Sequence, residues 1–81
     1  MKIFVGYDSR SAETIFATTT MNGGIKMAIR YMSVEDLTVE FFSHDDEYTV
    51  IEYSTSFRIG AEIIEQKGVI TIMATNFHES E

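Results

Sequence analysis

Apolar and polar positions alternate along most of this chain with a period close to two, the signature of half-buried strands. Residues 2–7, Lys-Ile-Phe-Val-Gly-Tyr, form a nearly unbroken apolar run that predicts a central strand, and Asp8-Ser9-Arg10-Ser11 predicts a turn. From Glu13 to Met32 two β-prone runs flank Asn22-Gly23-Gly24, which predicts a hairpin with Met21 opposite Gly24. The rival is a helix from Ser9 to Met21, against which the β-branched Thr18-Thr19-Thr20 counts. Residues 37–43 and 47–54 predict a second hairpin around His44-Asp45-Asp46. Pairing Phe42 with Tyr48 puts Leu37, Val39, Phe41, Ile51 and Tyr53 on a core face, and Thr38, Glu40, Phe42, Tyr48, Val50 and Glu52 on the other.

Residues 56–67 break the alternation. Phe57, Gly60, Ala61 and Ile64 fall on one helical stripe, Arg58 and Glu62 stand four apart, and Gly68 supplies a stop, so a helix is predicted there. A last strand spans 69–75, and 76–81 reads as a frayed polar tail. The expected fold is α+β: an antiparallel-dominated sheet of about six strands with two hairpins, and one helix over about 56–67 packed on one face. One helix cannot cover six strands, so the remaining apolar surface calls for curling, a second copy or a partner.

At 81 residues the chain has the length of a single domain, 1–81, with a marginal core. The absence of Cys removes disulfides and thiolate chemistry and fits a reducing compartment. The first ten residues have the pattern of neither a signal peptide nor a membrane span, so a cytoplasmic location is expected.

Charge changes the picture most. Residues 31–57 hold seven carboxylates (Glu35, Asp36, Glu40, Asp45, Asp46, Glu47 and Glu52) and no Lys or Arg. The rest of the chain balances, so the whole net charge of −7 sits in this third of it. A sequence pI near 4.6 argues against direct binding to nucleic acid or an anionic membrane and for a basic protein partner. Phe42 and Tyr48 would supply the apolar anchor of such an interface.

Candidate chemistry is sparse. His44-Asp45-Asp46-Glu47 is the densest set of possible metal ligands, but it lacks the spacing and glycine of a calcium loop and reads as a solvated turn. No nucleophile motif, phosphate loop or cofactor pattern is present, so an enzyme is not expected.

Two resemblances qualify this picture. Lys2 to Arg10 resembles the first strand and Tyr-Asp-x-Arg turn of some nucleotide-sugar glycosyltransferases, with Ser11 where that family usually has Glu. It would imply a helix over 9–21, and Asp45-Asp46-Glu47 matches the family's Asp-x-Asp metal motif only loosely. In size, single-domain build and acidity the chain is similar to virus-encoded inhibitors of host defence, such as anti-CRISPR proteins. The expectation is a cytoplasmic protein with no enzymatic activity and no cofactor. Its acidic, aromatic hairpin (about 35–53) would dock on a basic protein surface and compete there with nucleic acid. The alternatives are a self-associating structural protein, which would be a homodimer, and a small metal-binding protein or enzyme.

Overall fold

The computed structural model describes residues 2–11 and 13–76. It contains five strands and one helix in the order β1 (Lys2–Asp8), β2 (Thr14–Thr18), α1 (Met21–Val34), β3 (Thr38–His44), β4 (Tyr48–Ile59) and β5 (Glu62–Asn76). The strands make one antiparallel sheet in the order β2-β1-β5-β4-β3. The α+β class therefore holds, with five strands where six were expected. The tail predicted over 76–81 lies outside the described residues from 77 onward, and Asn76 itself ends β5.

The helix is displaced from where the sequence placed it. Ser9 and Arg10 form a turn and Thr14–Thr18 form β2, so neither the helix implied by the glycosyltransferase resemblance nor the hairpin over 13–32 exists. Instead α1 begins at Met21. Thr20, extended at φ −137°, caps it by accepting a 3.0 Å hydrogen bond from the Gly23 N–H. Met21, Gly24, Ala28 and Met32 recur at helical spacing and are buried. They pack with Phe4, Phe16, Ile51, Tyr53, Ile70 and Ile72 from one face of the sheet.

At its C-terminus α1 closes in a Schellman arrangement. The Leu37 N–H reaches the Met32 carbonyl at 2.8 Å and the Asp36 N–H reaches the Ser33 carbonyl at 3.3 Å. Asp36 occupies the left-handed position at φ +57°, where a glycine would meet no Cβ penalty. Asp36→Gly is accordingly expected to stabilise the fold by about 0.5–1 kcal/mol, read as a raised urea midpoint.

The segment predicted as a helix over 56–67 is a β-ribbon. β4 and β5 stay paired from Thr55↔Gln66 to Ile59↔Glu62, beyond the edges of β3 and β1. Gly60 sits at φ +60° in a two-residue Gly-Ala loop, as a type II′ turn requires. β-Branched residues and this turn prevail over the helical spacing. The resulting arm makes the molecule long, 56 × 25 × 16 Å.

The predicted hairpin over 37–54 forms, but with a bulge. Val39 pairs with Tyr53 and Phe41 with Glu52, leaving Glu40 as the extra residue. One inserted residue shifts the register that follows, so Phe42 faces Ile51 and His44 faces Thr49. Phe41 and Phe42 thus exchange the faces assigned to them. Phe42 lies on the helix side of the sheet, and Phe41 lies beside Glu52 on the uncovered side.

Candidate functional site

The predicted site residues are distributed along the edge strand β3, its two ends and the neighbouring β4, which carries Tyr48 and Glu52, rather than gathered at one point. Glu35 and Asp36 stand where α1 ends and β3 is about to begin, Glu40 at its bulge, and Asp45, Asp46 and Glu47 in the turn beyond its end. The seven residues of β3 span roughly 23 Å at ordinary strand rise, and every one of them is exposed. β3 carries no Pro and no Lys, so the bulge and Glu40 are its guards against strand addition.

Glu40 and Glu52 do share a face, as expected, and they converge on an open cleft of about 320 Å³ with Ser9, Lys67 and Val69. Glu40 Oε1 accepts a 2.6 Å hydrogen bond from the Ser54 hydroxyl, which orients its carboxylate along this face. Phe41 joins these two acids through its pairing with Glu52, and Tyr48 lies on the same side through its pairing with Met73. Phe42 does not. It is near His44, with ring centroids 6.0 Å apart, on the opposite side of the sheet.

The turn is locally organised. Asp45 Oδ1 accepts hydrogen bonds from the N–H groups of Glu47 and Tyr48 at 2.9 and 2.8 Å, and His44 Nδ1 lies 3.0 Å from the Thr49 hydroxyl. Glu47 pairs with Lys2 at 2.8 Å. These bonds engage His44, Asp45 and Glu47 of the side chains considered as metal ligands, and among the described residues no group of three or more His, Cys, Asp or Glu is placed to hold a metal. Ion pairs among the described residues take up Asp8, Glu47 and Glu65. Glu35, Asp36, Glu40, Asp45, Asp46 and Glu52 have no cationic partner there.

A second constellation was hidden from sequence reading. Asp8 ends β1 and its side chain is 1% exposed, at the root of the arm. Its carboxylate accepts hydrogen bonds from the hydroxyls of Tyr31 and Tyr53, the latter at 2.5 Å, and from the Arg10 N–H at 3.1 Å. The Arg10 guanidinium lies 3.4 Å from Asp8 Oδ2 and stacks 5.1 Å from the centroid of Tyr53. Helix, central strand and arm are tied together through one carboxylate. The available signal was a fully core-facing Tyr53, because a buried phenol needs a polar partner. Asp8 read only as a turn residue.

Burial alone would push the Asp8 carboxyl up, but the two tyrosine hydroxyls, the Arg10 N–H and the Arg10 charge outweigh it and hold the group below its usual value. Burial, with the Asp8 anion accepting its hydrogen bond, drives the Tyr53 phenol far above the ordinary range, and Tyr31 moves the same way. The signs follow by linkage. Asp8 contributes stability that is complete above its unfolded value of about pH 4 and is lost as pH falls through the lower folded value. For the tyrosines, the unfolded chain releases protons above about pH 10 that the folded chain retains, so stability falls as pH rises further. Urea midpoints should therefore decline at both acid and alkaline extremes, and Tyr53→Phe should flatten the alkaline decline.

The carboxylate of Asp8 is saturated by its donors, which suits it to positioning rather than proton transfer. No helix among the described residues is long and apolar enough to cross a membrane. Compared with known proteins, the chain matches no family model, no characterised protein and no solved structure.

Proposed function

We propose that this chain is a small non-enzymatic interaction protein that docks the acidic β3 edge on a basic surface of a protein partner, in competition with nucleic acid. The observation that carries this reading is the exposed edge strand with Glu40 at its bulge, Glu52 beside it on β4, and Glu35, Asp36, Asp45 and Asp46 at its ends, all without cationic partners among the described residues. Folding gains little from such an arrangement, since like charges on one strand and its flanks repel. A basic partner relieves that repulsion, and main-chain groups along β3 are free to pair with it. Phe41 and Phe42, about half exposed at 52% and 48%, project on the two sides of the strand and give the contact its apolar part. The pairing of Phe41 with Glu52 makes it, with Tyr48, the anchor next to the acids, in place of Phe42. The likeness to virus-encoded inhibitors such as anti-CRISPR proteins supports a target that itself handles nucleic acid, with a cytoplasmic site of action.

Reversing Glu40, Asp45, Asp46 and Glu52 to Lys tests the reading. The wild-type chain should retain a nucleic-acid-binding protein from host lysate at low salt and release it at high salt or on addition of duplex nucleic acid. The quadruple variant should retain none while keeping the circular dichroism spectrum of the fold. Equal capture by the folded variant would refute the proposal.

A further inference from the structure

His44 closes the edge strand β3, and its ring is not free to choose a tautomer. It pairs across the sheet with Thr49, and its Nδ1 lies 3.0 Å from the Thr49 hydroxyl oxygen. Thr49 is wholly buried, and its hydroxyl donates onward to the sulfur of Met21, the first residue of α1, at 3.3 Å. A row of three polar groups thus runs from an exposed imidazole on the edge strand, through β4, to a buried thioether on the helix.

The donor count fixes the proton. A hydroxyl has one hydrogen to give, and a thioether sulfur can only accept. With that hydrogen on the sulfur, the Thr49 oxygen is an acceptor toward the ring, so Nδ1 must carry the imidazole hydrogen. In the opposite tautomer Nδ1 is bare, and it competes with the sulfur for a single hydroxyl hydrogen. One bond is then lost where Thr49 has no exposed surface and cannot recover it from water. A neutral ring with hydrogen on Nδ1 leaves Nε2 bare. That nitrogen lies across the ring from Thr49 on an exposed residue, and among the described residues it makes no hydrogen bond.

The bare nitrogen stands on the helix side of β3, beside the Phe42 ring, whereas Glu40 and Glu52 serve the other side. We propose that His44 is a recognition residue of this edge, held by the Thr49–Met21 pair as a hydrogen-bond acceptor for an N–H of an arginine or lysine on the partner. The role rests on the docking reading; the tautomer does not. Carboxylates are acceptors only, and a bare Nε2 adds one more acceptor to the same edge. The other tautomer would turn a donor toward a cationic donor. Thr49 and Met21 touch no partner in this arrangement. They act through the ring, as positioning residues.

Long-range proton–nitrogen NMR correlations on the free chain at about pH 8.5, above the range in which histidines change charge, read the tautomer. His78→Gln leaves His44 as the only histidine, so its signals stand alone. Hydrogen on Nδ1 is expected, and a ring with hydrogen mainly on Nε2 would overturn the inference. Thr49→Val, with the fold kept by circular dichroism, should release the ring to the Nε2–H form usual for histidine in water. An oligo-arginine peptide is the probe of the edge. Its dissociation constant should rise about twofold to tenfold in Thr49→Val and in His44→Phe, the equivalent of one exposed hydrogen bond. His44→Gln, which returns an acceptor oxygen near the place of Nε2, should recover most of that loss. Unchanged affinity in both Thr49→Val and His44→Phe would overturn the role while the docking edge stands. Equal binding of the peptide after reversal of Glu40, Asp45, Asp46 and Glu52 to Lys would instead remove the docking reading, and the role of His44 with it.

Discussion

Replacing Asp8 by Ala is expected to cost about 3–5 kcal/mol, a large share of the roughly 4–12 kcal/mol available to a chain of this length. The substitution strands three sets of donors at once: the hydroxyls of Tyr31 and Tyr53 and the Arg10 guanidinium, all held toward one buried point. Tyr53 is 1% exposed and cannot turn its hydroxyl to water. Asp8→Asn keeps the shape, yet its amide N–H₂ faces donors, so it should recover only part of the loss. Tyr53→Phe removes one donor from a carboxylate with several and should cost about 1–3 kcal/mol. Urea denaturation followed by circular dichroism orders the three, with Asp8→Ala lowest. A loss below about 1 kcal/mol for Asp8→Ala would mean that water satisfies these groups and that the node holds nothing together.

Gly68→Ala should also be strongly damaging, at about 2–3 kcal/mol. Gly68 pairs with Tyr53 across the β4–β5 ladder, and the tyrosine ring lies over the position a Cβ would take, overlapping the hydroxyl and its ring carbon. The ring is enclosed by the core, so it moves only by withdrawing its hydroxyl from Asp8. The two sites are therefore coupled: Gly68→Ala combined with Tyr53→Phe should cost measurably less than the two added together. Additivity within about 0.3–0.5 kcal/mol would show that the added methyl is absorbed without disturbing the Asp8 bonds.

The strands over 2–7, 37–54 and 69–75 were legible because alternation, β-branching and turn residues agree there. Residues 20–34 were not. Gly23 and Gly24 lower helix propensity and read as a turn, but they fall in the first turn of α1, where Thr20 caps it. Gly24 also lets the helix approach the sheet, since a Cβ there would lie 3.2 Å from Ile72. That contact is long-range and invisible in a local window. Residues 56–67 failed in the opposite direction, because Phe57, Ile63 and Ile64 fit either period over so short a stretch. The Gly60-Ala61 loop between β-branched runs was the usable signal.

For the site, the segregation of charge was fully legible, and so was the common face of Glu40 and Glu52. The bulge was not. An extra residue in an edge strand depends on cross-strand pairing, so the exchange of Phe41 for Phe42 beside the acids needed coordinates. The Asp8 cluster needed them too, because its members are separated by up to 45 residues.

Zero-length carbodiimide coupling of the captured complex, read by peptide mass spectrometry, tests the docking claim most directly. It joins a carboxylate only to an amine it touches. The account predicts links from Glu40, Asp45, Asp46 or Glu52 to lysines of the partner's nucleic-acid-binding surface. Links confined to Glu13, Glu62 or Glu65, with the β3 edge unmodified, would contradict it.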